Sequence, residues 1–188
     1  MFHFLAFLVA TVGTVGVWLM FLTGGRINGG GGLMGSLAAL GLLCWLMSLQ
    51  ANHWLILIIA WATYHIGAYF IPYAEAYMVA KWGPQKRHNG ALVCSDLNAT
   101  CIDEFHGMFV SSFYIFSQHG KLSHQWLIGE LIAAFFLFRF FDTVKPLGIK
   151  RIETWKPENK AIMLDDTVAG LYVCIIIIGF NIFRPFFI

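Results

Sequence analysis

The chain has 188 residues and a formal net charge of +2; 59% of it is apolar or aromatic and 12% is charged. A soluble domain carries roughly 25% charged residues, so a mean hydropathy of +0.70 excludes an ordinary water-soluble core. The small net charge excludes a nucleic-acid-binding surface. What remains is an all-α, polytopic membrane protein forming a single domain over residues 1–188.

In chain order, apolar runs at about 2–22, 33–49, 53–71, 101–117, 126–142 and 161–183 predict five to six membrane-embedded helices. The first run has no basic n-region and no small-residue cleavage site, so it reads as structure and not as a leader. With Gly13 and Gly16, it either spans the bilayer or lies partly in the interface. The tract GGRINGGGGLMGSLAAL (24–40) leads into the start of the second run. Residues 72–82 are expected to continue the third helix out of the bilayer, and 83–100, with its Gly-Pro and Asn-Gly pairs, reads as a cytoplasmic loop. The run 101–117 opens with acids. The run 126–142 ends in FRFFDTVKP, where Pro146 stops the helix.

Alternation through these runs puts the loops 23–32, 72–100 and 143–160 on one side. Of the 12 Lys and Arg residues, only Lys121 and Arg184 fall on the other side. The positive-inside rule therefore assigns the basic side to the cytoplasm. The four cysteines show no CxxC spacing. Cys44 and Cys174 lie in apolar runs, and Cys94 and Cys101 fall on the reducing side as thiols.

The acids follow the same asymmetry. Asp103, Glu104, Asp142, Asp165 and Asp166 all lie near cytoplasmic helix ends, and only Glu130 is deep in a run. Carboxylates at one depth repel unless a cation or proton lies between them, and a hard divalent ion such as Mg²⁺ answers this with oxygen ligands and substrate phosphate. The alternative is acids placed to favour helix N-termini. Gly107 and Gly170 stand four residues after Asp103 and Asp166, on the same faces, and are expected to clear room beside the carboxylates.

Arg139 and Asp142 are i,i+3 neighbours, with Lys145 just beyond. A guanidinium fork and an ammonium suit a phosphate; an Arg139–Asp142 ion pair among snorkelling basic residues is the alternative. The glycine tract with Ser36 forms an anion site at a helix N-terminus, or a flexible turn; Arg26 and Asn28 reinforce the anion site or face solvent. His106 reads as packing beside the acids, and Glu130 as a hydrogen-bonding partner of a neighbouring helix, the main feature favouring a cation- or proton-coupled transporter. No GxSxG, HExxH, Walker or CX5R motif occurs.

The motifs LMGSLAAL (33–40), IDEFHGM (102–108), FRFFDTVKPLGI (138–149) and IMLDDTVAG (162–170) occur in series. In order and spacing they resemble the phosphatidylglycerophosphatase A family of bacterial membrane lipid phosphatases. The resemblance implies Mg²⁺-dependent hydrolysis of phosphatidylglycerophosphate to phosphatidylglycerol and phosphate at the cytoplasmic surface of the inner membrane. It implies that Asp103, Glu104, Asp142, Asp165 and Asp166 are metal or catalytic residues. Arg139 and Lys145 become phosphate-binding and catalytic, with Ser36, Gly35, Arg26 and Asn28 beside the phosphate. Another phosphorylated lipid as substrate is the alternative within the same class. The family reads Pro-Gly-Thr where this chain has Gly31, Gly32 and Leu33, and KPxPI where this chain has KPLGI, with Gly148 in place of the second proline.

Overall fold

The computed structural model describes residues 1–22, 30–86, 92–95, 97, 99–152, 154 and 157–184, of which 19–22 and 86 are described by backbone alone. The described residues are all-α: α1 (Phe2–Ala10), α2 (Val15–Leu22), α3 (Gly31–Ser48), α4 (His53–Trp82), α5 (Ile102–Ser117), α6 (His124–Val144), α7 (Ile149–Ile152) and α8 (Glu158–Phe183). Between α4 and α5 a short antiparallel ladder pairs β1 (Gln85–Lys86) with β2 (Leu92–Val93), inside the segment expected to be a loop.

Among the described residues three helices, α3, α4 and α8, are long and apolar enough to cross a bilayer. The others depart from that pattern for identifiable reasons. α5 has 16 residues and opens on two acids, whereas a crossing helix needs about 20 apolar residues. α6 carries Glu130, Arg139 and Asp142 within its 21 residues. The first apolar run is two short helices, not one continuous segment. Val12, Gly13 and Thr14 all take positive φ, which ends α1, and the Thr11 hydroxyl stabilises the turn by donating to the Phe7 carbonyl and accepting from Thr14 N–H.

α5 is the central post, packed by α3, α4, α6 and α8. One apolar core joins α3, the first half of α4, α5, α6 and α8; a second joins α1, the later half of α4, Leu97, Ile102 and Met163. Glycines set how closely the helices approach. A Cβ on Gly170 would lie 2.7 Å from the Gly107 carbonyl oxygen, and one on Gly107 would lie 2.4 Å from the Phe138 ring. These two glycines therefore bring α5, α6 and α8 into contact. They do not clear space beside the acids as their spacing suggests.

Pro72 lies within α4. Without an N–H, proline leaves the carbonyl four residues back unpaired, and the Asn159 amide of α8 donates to that Ala68 carbonyl. His106 joins the same elements: its Nδ1 meets the Ala60 carbonyl at 2.9 Å and its Nε2 the Thr167 hydroxyl at 2.8 Å. It is a structural bridge between α4 and α8. Glu130 likewise accepts from the Asn181 amide at 2.8 Å, tying α6 to α8.

Candidate active site

The first turn of α5 is where the chain gathers its charge. Asp103 and Glu104 occupy that turn, and Asp166 of α8 arrives opposite because Gly107 and Gly170 let the two backbones touch. One carboxylate oxygen from each of Asp103, Glu104 and Asp166 lies within 4.8 Å of the other two. All three side chains are largely withdrawn from solvent. Glu104 Oε2 and Asp166 Oδ2 are buried without a hydrogen-bond partner, and leaving such an oxygen unsatisfied costs about 1–3 kcal/mol, more when it is charged.

Two cations border the cluster. Arg139 Nη1 of α6 lies 2.8 Å from Asp142 Oδ2 and 3.9 Å from Glu104 Oε1. The same nitrogen donates to Ser36 Oγ at 3.2 Å, while the Ser36 hydroxyl donates to the Gly32 carbonyl at 2.9 Å. Ser36 is thus fully buried and engaged with the guanidinium. Lys145 Nζ lies 2.6 Å from Asp165 Oδ2. The lysine reaches that position because it ends α6 in the left-handed region (φ 47°, ψ 51°); such a conformation costs a non-glycine residue about 1 kcal/mol and is tolerated where the surroundings demand it. Asp165 Oδ1 accepts from Asp166 N–H at 3.0 Å, which aims the two neighbouring carboxylates apart.

α3 closes the site on one side. Its N-cap, Gly30, has φ 104°, a conformation glycine adopts freely. No N-cap side chain takes the first-turn N–H groups, and this first turn, through Gly32, lies against Glu104. A Cβ on Gly32 would lie 1.8 Å from Glu104 Oε1. Reading the sequence alone missed this requirement; the glycine tract was its only trace.

The sequence-predicted residues therefore divide. Asp103, Glu104 and Asp166 form one carboxylate cluster, with Asp142 and Asp165 held at its edges by Arg139 and Lys145. Gly35 is turned toward Cys101, whose carbonyl oxygen would be 2.5 Å from an added Cβ, and it packs α3 against the entry to α5. Arg26 and Asn28 lie outside the described residues. The donor set fits a hard divalent cation: all-oxygen, anionic, with two buried oxygens of open valence.

Fold and site together define a membrane-type helical protein with a buried carboxylate cluster flanked by an arginine and a lysine. The chain belongs to the phosphatidylglycerophosphatase A family, whose model matches residues 8–181. A phosphatidylglycerophosphatase A of Haemophilus influenzae is 37% identical over 75 residues, 40% of this chain and 41% of that protein. A Bacteroides thetaiotaomicron protein named "Putative phosphatidylinositol-3-phosphatase" is 51% identical over 47 residues, 25% of this chain and 29% of that protein. The matched segments thus span well under half the length of either relative. No solved structure matches.

Proposed function

We propose that this chain is a lipid phosphatase that hydrolyses phosphatidylglycerophosphate to phosphatidylglycerol and phosphate. On this reading the protein embeds five to six helices in the bacterial inner membrane and works at its cytoplasmic surface. The observation that carries it is the pair of buried, unpartnered carboxylate oxygens, Glu104 Oε2 and Asp166 Oδ2, set between Arg139 and Lys145. Among the described residues, five acids from α5, α6 and α8 gather around two cations, an excess of negative charge that a phosphate alone would worsen.

Asp103, Glu104 and Asp166 would hold Mg²⁺, which when bound supplies polarisation of the phosphoryl oxygens. Arg139 is oriented by Asp142 and Ser36, and its remaining N–H groups bind phosphate oxygens. Lys145, steadied by Asp165, adds a second positive charge as negative charge builds up in the transition state. The first-turn N–H groups of α3 contribute a third donor set. A cluster carboxylate takes the proton of the attacking water, phosphorus–oxygen bond cleavage releases the glycerol oxygen, and that oxygen leaves as the alcohol after protonation. The acyl chains stay in the bilayer throughout.

Phosphate release by the purified chain from phosphatidylglycerophosphate, with Mg²⁺ and with chelator, tests the reading. Unchanged rates in chelator would remove the metal. In oxygen-18 water the label enters phosphate; label found only in the glycerol-side product would exclude attack on phosphorus. The named Bacteroides relative favours a second headgroup, so phosphatidylinositol 3-phosphate belongs in the same assay. Glu130, the feature that favours a transporter, accepts from Asn181 through one oxygen and has the other buried without a partner, so ion flux in proteoliposomes with no phosphate release would favour that reading.

A further inference from the structure

The outer surface of α1 and of the later turns of α4 is built inside-out. Between Tyr69 and Ala80 the exposed α4 positions are Tyr69, Pro72, Tyr73, Ala76 and Ala80, none of them charged. The carboxylate of this stretch, Glu75, is buried and accepts from Leu97 N–H at 3.1 Å. α1 adds exposed Phe2, Phe4 and Leu5 to the same surface, and Phe2 packs against Phe70 and Tyr73. A helix pair facing water turns its charges outward; here the one carboxylate, Glu75, is turned inward, and the exposed basic side chains are His3, against Tyr73, and Lys81 at the end of the stretch. The stretch ends at Lys81, whose ammonium lies 4.8 Å from the Trp82 ring and 5.6 Å from that of Tyr77. Lysine with tryptophan and tyrosine is the composition of the lipid headgroup level.

The acidic cluster marks a second level. Gly67 abuts Met163 and Ile102, the turns that lead into Asp165–Asp166 and Asp103, so the cluster lies beside Gly67. Lys81 is about 21 Å farther along α4 at about 1.5 Å per residue. A site that takes a lipid phosphate and a Lys–Trp terminus both belong to the headgroup layer, so the helix between them cannot follow the membrane normal. Pro72 supplies the place to depart from it, with the freed Ala68 carbonyl held by Asn159.

We propose that α1 and residues 73–82 of α4 form an arm lying in the plane of the headgroup layer, docked on phospholipid of the leaflet that supplies the substrate. Phe2, Phe4, Leu5 and Tyr73 face that lipid. The lipid contact follows from the inverted surface alone; the depth rests on the phosphate-site reading. Such an arm fixes the acidic cluster at phosphate level.

The test uses the full chain in vesicles of phosphatidylethanolamine and phosphatidylglycerol. Spin labels at Phe4→Cys, Tyr73→Cys and Trp82→Cys, in a background with the native cysteines replaced, are compared for access to oxygen and to a soluble nickel chelate. The expected result is one common depth near the headgroups. A descent of about 13 Å between Tyr73 and Trp82, the rise of a crossing helix, would overturn the arm, and so would nickel access equal to that in buffer. Brominated-lipid quenching of the unmodified chain, less that of Trp82→Phe, gives the same depth without touching the cysteines. Phosphate release from the same vesicles is scored separately: lost turnover counts against the phosphatase reading, and label depth alone decides the arm.

Discussion

On the proposed mechanism, Asp166 is the side chain on which the chemistry depends most directly. One of its buried oxygens has no hydrogen-bond partner and it shares the cluster with Asp103 and Glu104. Asp166→Asn keeps the shape and removes the charge, so turnover is expected to fall at least about 100-fold, the scale of losing one transition-state group, with the thermal transition largely retained. Phosphate release and a melting curve on one preparation check both halves. Ser36 acts through another residue: Ser36→Ala removes an acceptor of Arg139, worth about 1 kcal/mol. The expected result is a several-fold loss in kcat with little change in KM, and recovery in Ser36→Thr. Arg139→Lys is expected not to restore Arg139→Ala, because an ammonium cannot serve Asp142, Ser36 and a phosphate through one planar fork.

The helices bear constraints that no single side chain shows. α5 and α8 meet backbone to backbone, and a Cβ on Gly170 would stand 2.7 Å from the Gly107 carbonyl oxygen. Gly170→Ala must push these helices apart, at about 1–3 kcal/mol of overpacking, and it displaces Asp166 as it does so. Both the melting temperature in detergent and the turnover are expected to fall, whereas Gly41→Ala, with open space around it, changes neither. The αL conformation of Lys145 and the adjoining Pro146 end α6 where the sequence indicates. The first apolar run shows the limit of such reading: its hydropathy is continuous, but the Thr11–Thr14 turn divides it, because a hydroxyl's local hydrogen bonds compete with the helix.

At the scale of the whole molecule, a cation held as proposed by the carboxylates buried among α5, α6 and α8 would couple stability to its binding. A ligand that binds only the folded state raises stability by about 2.7 kcal/mol at a hundredfold excess over Kd. Mg²⁺ is therefore expected to raise the melting temperature of the native chain and to do so much less in Asp166→Asn; equal shifts in both would place the ion elsewhere. The charge asymmetry makes a separate prediction. Lys150 is exposed on α7, and Lys150→Cys is expected to react with an impermeant maleimide only after the cytoplasmic side is opened, with the reverse at Lys121→Cys.

The amino-acid order by itself determined the helical class, the level shared by the acids and the ends of the long helices, because hydropathy, helix stops and charge near a helix end are local properties. The tertiary structure alone decided which acids face one another, that Ser36 meets Arg139 and that Gly32 must lack a side chain beside Glu104. It also turned Gly107 and Gly170 from apparent space-makers into points of helix contact. The physical reason is common to all of these: the rotation of one packed helix about its axis relative to the next is set by atoms distant in sequence, and periodicity within a single segment carries no record of it.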